Sequence, residues 1–289
     1  RSTLFPYTTL FRSASKKVIR NAAIGGDLGD AAQGVLSQEG IQAQKSNIPD
    51  DAVMINADLL PSKGKYYKAP LYVTELSPID LKNLNQMTED NANQVINTVL
   101  SNCIHNINYK DILQGDKVWL LFYIRSITYD DFPIFVKYSC PECKKVDTFK
   151  IRLKELKVNY ASDKFEPQLE LPRCGKTVTL RYPTLRLEER AQALAKNDQI
   201  IEAVDPELAE IALYIEAVDG QQVTPMEAYK FVKSMKALDF VTFSNYMIEH
   251  NIGLIPIVEI PCTCGNTVKK KIGFTPDFFF PDFKKYQNA

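Results

Sequence analysis

Histidine is scarce in this sequence, and neither sign of charge is in excess. His105 and His250 are the only histidines among 289 residues, and neither a Gly-x-Ser-x-Gly nor a His-Glu-x-x-His motif occurs. Lys and Arg together number 35, as do Asp and Glu, so the formal net charge is zero. Proteins that mainly bind nucleic acid usually carry a basic surplus. These absences argue against an enzyme and against nucleic acid as the main partner.

Long hydrophobic runs are also missing. The longest run, residues 118–124, is far shorter than the roughly 20 residues that a membrane-spanning helix needs. No segment resembles a secretory signal peptide. We therefore expect no membrane partner. We also expect the six cysteines to be reduced or metal-bound rather than paired in disulfides.

The N-terminal region offers little that would build a core. Residues 1–13, RSTLFPYTTLFRS, resemble the translation of a sequencing-library adapter oligonucleotide, so we expect them to contribute nothing to the fold, as with an expression scar. Residues 14–53 are rich in Gly, Ala, Gln, Ser and Asp and show no sustained apolar periodicity. We therefore expect residues 14–58 to be a flexible leader and ordered structure to begin near Leu59.

Apolar residues at helical spacing mark two segments in the first half of the chain. The second segment is expected to begin at Asp116 as a cap and to run as a helix to Ile127, although its apolar run also suits a central strand. In the first segment the following residues share one face: Val95, Ile96, Val99, Leu100, Cys103 and Ile104.

Strand-like segments flank two pairs of cysteines. Residues 132–139 and 146–153 surround the first pair, and residues 256–261 and 266–274 surround the second. A further hairpin is expected over residues 164–180. Hairpins that each present a cysteine pair at the turn are typical of zinc ribbons.

Residues between these hairpins carry the start signals of helices. Asp205 and Pro206 supply an N-cap and a first-turn proline for a helix that we expect to end at Gly220. Thr224 and Glu227 have the spacing of a capping box at the start of another helix.

The sequence therefore predicts an α+β fold. It consists of a helical N-terminal part followed by β-hairpins that form a split zinc ribbon. An inserted helical subdomain, residues 184–252, interrupts the ribbon. Residues 59–183 and 253–289 then form the α+β core on either side of the insertion.

The cysteine pairs are the strongest chemical signal in the chain. Cys140 and Cys143 form one pair, and Cys262 and Cys264 form the other, with Gly265 easing the second turn. Two facing pairs supply four thiolates, which predicts one structural Zn²⁺ with no open coordination position. The long gap between the pairs is tolerable because the entropy cost of loop closure grows only logarithmically with length. Free thiols from a decayed site and a redox pair are the alternatives.

The remaining cysteines and histidines are weaker candidates. Cys103 and His105 are two residues apart on a predicted helix, so their side chains point to different faces. Cys174 lies in a hairpin turn, where we expect an exposed thiol. None of these residues is expected to bind the zinc ion.

The order of several short motifs resembles a known family. From residue 60 onwards, this order and spacing are similar to those of the T-even-like phage baseplate hub assembly proteins. No single motif is specific, and the resemblance covers residues 59–182 well and the rest loosely. The motifs are LPSKGKYY at 60–67, LSPIDLK at 76–82, DKVWLL at 116–121 with IRSITY at 124–129, and KYSCPEC at 137–143.

This resemblance implies a part in building the hub of a contractile tail baseplate, without known catalysis. The partners would be other baseplate hub proteins, and self-association is possible. Family members act as transient assembly factors or stay as hub subunits. The implied location is the host bacterial cytoplasm during assembly, and the virion tail baseplate for a subunit. The alternative function is a zinc-ribbon accessory protein that binds nucleic acid.

Apolar residues in two regions exceed what local packing requires. The C-terminal tail has five phenylalanines within residues 274–283, and its prolines exclude a regular helix or a central strand. The tail must therefore pack back on its own domain or dock on a partner. In the insertion, we expect partner contact through Phe231, Met235, Phe240, Phe243 and Met247.

Overall fold

A computed structural model describes residues 48–195, 204–281 and 283 of the chain. The adapter-like residues 1–13 and most of the expected leader lie outside the described residues. The elements in chain order are β1 (Val53–Met54), β2 (Tyr72–Val73), α1 (Pro78–Asn85), α2 (Ala92–Cys103), β3 (Ile104–His105), α3 (Gln114–Thr128), β4 (Ile134–Ser139), β5 (Val146–Ile151), β6 (Lys157–Asn159), β7 (Gln168–Glu170), β8 (Thr177–Leu180), α4 (Leu185–Ala195), α5 (Pro206–Ala212), β9 (Ile215–Val218), β10 (Gln221–Gln222), α6 (Pro225–Ser234), α7 (Ala237–Glu249), β11 (Gly253–Ile255), β12 (Ile257–Pro261), β13 (Thr267–Lys271) and α8 (Pro276–Phe279). The mixture of helices and small antiparallel sheets confirms the α+β class.

Ordered structure begins earlier than Leu59. Val53 and Met54 pair antiparallel with β2, which in turn pairs with β3 in a three-stranded sheet. Ile55 is buried in the core beside this sheet. Residues 53–55, near the end of the expected leader (residues 14–58), are therefore part of the folded structure.

The central helix α3 organises the larger core. The apolar run from Val118 to Ile124 lies within this helix and is almost wholly buried. The helical interpretation is therefore correct and the strand alternative is wrong. The predicted stripe on α2 also faces this core. Asp116 is not the cap, because the helix begins at Gln114 with Leu113 at the cap position.

Asp116 instead holds the preceding turn against α3. Its carboxylate accepts hydrogen bonds from the backbone N–H of Ser62 (2.9 Å) and from the hydroxyl of Tyr67 (2.5 Å). Burial raises the pKa of this carboxyl, and burial together with the nearby carboxylate raises the pKa of Tyr67 well above its usual value. The next residue, Lys117, forms a buried ion pair with Glu188 on α4 at 3.2 Å. Two buried polar contacts therefore fix both sides of the start of α3.

A second core lies under a four-stranded sheet in the order β10-β9-β8-β7. Helices α5, α6 and α7 contribute buried apolar residues to it. The helix from Asp205 ends at Ala212 rather than at Gly220, because alternate residues Ile215 and Ala217 are buried against this core as a strand. Gly220, with φ of 77°, lies in the turn of the β9–β10 hairpin, where a left-handed backbone favours glycine.

The predicted boundary near residue 183 is crossed by strand pairing. β8 and β9, which come from opposite sides of that boundary, are neighbours in one antiparallel sheet. β6 and β11 likewise pair across the whole insertion. The division into core and inserted subdomain stays a prediction, and the segment 204–252 contains a hairpin as well as helices.

The C-terminal tail packs back on the molecule. The Phe278 and Phe274 rings contact Phe122 of α3 edge to face, at centroid distances of 4.8 and 5.7 Å, and Phe279 is only 1% exposed. Arg125 of α3 donates to the Phe278 carbonyl oxygen at 2.7 Å. Of the two outcomes expected for the tail, packing on its own domain is therefore the one that occurs for these three rings.

Candidate metal centre

The turn between β4 and β5 presents the first cysteine pair. The strands stay in register up to Ser139 and Val146, so Cys140 and Cys143 lie in the connecting turn. The backbone N–H of Cys140 donates to the Lys145 carbonyl oxygen (2.9 Å), and that of Lys144 donates to the Cys140 carbonyl oxygen (3.0 Å). Lys144 has a positive φ of 60°, which closes the turn. These bonds direct both thiols to one side of the hairpin.

The turn between β12 and β13 presents the second pair in a similar way. The backbone N–H of Cys262 donates to the Asn266 carbonyl oxygen (2.8 Å), and that of Gly265 donates to the Cys262 carbonyl oxygen (2.9 Å). Gly265 has a φ of 88°, a left-handed conformation that a side chain would strain. Cys262 and Cys264 therefore share one side of a turn that is one residue tighter than the first.

The two turns meet, and all four predicted cysteines come together. Their four sulfur atoms lie within 4.8 Å of one another, although more than 100 residues separate the pairs. The Sγ atoms of Cys140 and Cys264 are 3.6 Å apart, as are those of Cys143 and Cys262. A tetrahedral Zn²⁺ with Zn–S bonds of about 2.3 Å requires sulfur atoms about 3.8 Å apart. The two 3.6 Å spacings are close to that value and the others are at most 4.8 Å, whereas a disulfide needs about 2.05 Å.

The electrostatic environment favours thiolates in part of this cluster. The backbone N–H of Cys143 donates to the Cys140 sulfur, and the Asn266 side chain adds a further hydrogen bond, which together lower the pKa of Cys140 to about 6. The N–H of Cys264 lowers the pKa of Cys262. The N–H of Asn266 also lowers the pKa of Cys264, but the neighbouring thiols and burial outweigh it and raise that pKa to about 11.

Other cysteines and histidines are placed apart from the cluster. Cys103 is buried in the larger core, and burial raises the pKa of its thiol to about 12. His105 contacts the hydroxyl of Thr74 at 3.1 Å, and Cys174 is exposed in the β7–β8 turn. Within the described residues, the four-cysteine cluster is the one group of three or more His, Cys, Asp or Glu that has metal-binding geometry.

Asn266 is a contributor that the sequence did not reveal. Its side-chain amide lies 3.6 Å from the Cys140 sulfur, in the opposite hairpin. Only the meeting of the two turns makes this contact, so no spacing rule along the chain points to it.

A shallow cleft of about 290 Å³ lies between β1 and the turn that precedes β2. Its walls are mainly apolar, from Ile55, Leu60 and Leu71, and Lys68 is the one formally charged residue that lines it. It offers no pair of acidic or basic groups for proton transfer.

The fold and the cluster thus define an α+β protein whose distinctive chemistry is a four-thiol site joining two hairpins. The chain belongs to the T4 bacteriophage base plate protein family, which matches residues 53–280. It has no significant match among curated proteins and none among solved structures. No helix in the described part of the chain has both the length and the apolar character needed to cross a membrane.

Proposed function

We propose that the protein is a baseplate hub assembly protein or hub subunit that acts by binding other baseplate proteins and contains a structural Zn²⁺. Membership of the base plate family supports the baseplate role. The observation that carries the zinc assignment is the convergence of Cys140, Cys143, Cys262 and Cys264 within 4.8 Å.

The proposed zinc has a structural role because its coordination is closed. Four thiolates fill a tetrahedral shell, so neither water nor substrate has a position on the metal. In zinc-finger peptides such sites provide roughly 10–16 kcal/mol of apparent binding free energy. Here the metal would join hairpins that lie far apart in the chain and so hold the C-terminal strands to the first half of the core.

Binding rather than catalysis is supported by the placement of the two histidines. Burial lowers the pKa of His105 and outweighs the opposing effect of the nearby Asp51 carboxylate, and the ring contacts the Thr74 hydroxyl at 3.1 Å. His250 is buried among the rings of Tyr246 and Phe165. Neither residue lines the cleft described above. We therefore propose no catalytic role for either histidine.

The partner surface that we propose is the outward face of α7. Leu238, Val241 and Ile248 are 52%, 50% and 45% exposed, and their spacing places them along one side of the helix. Of the five residues expected from sequence, Phe243 and Met247 are wrong for this purpose, because they are fully buried in the second core. Phe231, Met235 and Phe240 are partly buried against the same core.

Metal analysis of freshly purified, reduced protein tests the zinc proposal. We expect one zinc per chain, lost on Cys140→Ser or Cys262→Ser. Cys174→Ser is the matched control, since this exposed thiol lies outside the cluster. Protein that folds and contains no zinc would refute the site.

Co-purification with hub proteins encoded by the same phage tests the partner surface. We expect Val241→Asp to abolish a complex that the wild type forms. Ile79→Asp on α1 is the matched control, because Ile79 is similarly exposed (54%) but lies on another helix. A complex that survives Val241→Asp would place the interface elsewhere.

A further inference from the structure

Positive charge is concentrated around the cysteine hairpins. We define the cysteine-hairpin region as residues 134–157 and 256–273, which include β4, β5, β12 and β13. It contains ten Lys and Arg but four Asp and Glu, a net charge of +6 in a chain whose total is zero. A zinc ion with four thiolates would subtract two charges and still leave a positive surface. All ten cations are exposed: Lys137, Lys144, Lys145, Lys150, Arg152, Lys154, Lys157, Lys269, Lys270 and Lys271.

An apolar contact point lies among these cations. Val146 is 73% exposed and pairs with Ser139 across the β4–β5 ladder. Two residues along β4, Lys137 shares the outward side with Ser139, because side chains two apart on a strand point the same way. A cationic surface with an exposed aliphatic side chain at its tip is suited to a protein surface of opposite charge.

The opposite charge is found in the same chain. We define the helical lobe as residues 204–252, which carry eight acidic and three basic residues, a net charge of −5. The stretch 205–219 has five acidic residues and no Lys or Arg. Asp205, Glu207 and Asp219 in this stretch are exposed. The neutral total therefore conceals two regions of opposite sign.

We propose that the cysteine-hairpin region of one copy binds the helical lobe of a second copy. The two surfaces differ, so the contact is head-to-tail and leaves one surface of each kind unpaired at the ends of every open oligomer. Such a contact closes into a ring or continues as a filament, depending on its rotation. A nucleic acid would match the cationic surface alone and would leave the acidic helical lobe without a counterpart. This inference does not depend on the proposed baseplate partner or on zinc.

Sedimentation velocity of the full-length protein at two salt concentrations tests the contact. At about 0.05 M NaCl we expect the weight-average sedimentation coefficient to rise with protein concentration. At about 0.5 M we expect the dissociation constant to be at least about tenfold larger, because salt shortens the Debye length and screens the attraction between the two charged surfaces. Protein that stays monomeric at low salt throughout the micromolar range would overturn the proposal.

Charge reversal separates a head-to-tail contact from other arrangements. Lys137→Glu with Lys270→Glu reverses two cations of the cysteine-hairpin region, and Glu207→Lys with Glu210→Lys reverses two acids on α5. Each double variant alone should not self-associate. An equimolar mixture should associate, because each variant keeps one unaltered surface. Failure of the mixture to associate would overturn the head-to-tail arrangement.

Controls keep the result interpretable. Lys68→Glu with Lys82→Glu changes the formal charge equally at exposed cations outside both surfaces, and it should associate as the wild type does. If the hairpin variant fails to fold by circular dichroism, Lys154→Glu with Lys270→Glu replaces it. Binding to a 20-base-pair duplex that the hairpin variant loses, without any self-association of the wild type, would assign the surface to nucleic acid instead.

Discussion

Replacement of Phe279 by alanine tests whether the C-terminal tail is part of the core. This ring is 1% exposed and contacts Phe278 edge to face at 4.7 Å. Truncation of a buried Phe to Ala costs about 3–5 kcal/mol, which combines lost transfer free energy with the cavity that remains. For a chain of this size, each 1 kcal/mol lowers Tm by about 2–4 °C. The expected loss is therefore about 6–20 °C.

Thermal unfolding followed by circular dichroism, with the metal content held constant, measures this loss. Phe283→Ala is the matched control: this ring belongs to the same tail but is 43% exposed. Its contacts with Phe132 and Tyr129 limit the expected effect to about 1 kcal/mol. If Phe279→Ala unfolds within 2–4 °C of the wild type, as expected for only about 1 kcal/mol, the tail does not pack in solution, and its rings are then available to a partner.

Three further predictions follow from the buried polar groups and the cysteines. Lys117→Met leaves Glu188 buried without its cation and should lower the free energy of unfolding, measured in urea, by about 3–5 kcal/mol. The double variant Lys117→Met with Glu188→Leu should recover most of that loss. An equal loss in both variants would contradict the ion-pair argument. Zinc affinity, measured by competition with a chromophoric chelator, should fall as pH is lowered from 7.5 to 5.5. The reason is that Zn²⁺ must displace protons from thiols such as Cys264, whose pKa is about 11. A constant affinity over this range would refute thiolate ligation. Asn266→Ala should weaken zinc binding by about 10–100-fold through the lost hydrogen bond to the Cys140 sulfur, and unchanged affinity would show that this amide has no part in the site.

Local sequence signals were reliable where a single segment decides the outcome. The capping box at Thr224 and Glu227 forms as predicted, and Asp205 caps α5 through hydrogen bonds to the next turn. The stripe on α2 is buried as its spacing indicates. The spacing within each cysteine pair predicted that both of its thiols lie in one hairpin turn, because turns between paired strands have few possible geometries. The four thiols that were predicted to meet do so.

Contacts between distant segments decided the rest. Residues 215–222 become a hairpin instead of a helix because β8 offers a strand edge and the second core buries Ile215 and Ala217. Asp116 does not cap α3, because its buried carboxylate accepts hydrogen bonds from Ser62 and Tyr67, which lie more than 45 residues earlier in the chain.

The sequence by itself determined the composition, the caps of α5 and α6 and the two thiols of each hairpin turn, since these depend on residues close together in the chain. Only the tertiary structure decided that the phenylalanine tail packs on α3, because that contact joins Arg125 to a carbonyl oxygen 153 residues later. It also decided where opposite charges collect: a net charge of zero is a sum over the chain, whereas an electrostatic surface depends on which side chains the fold brings together.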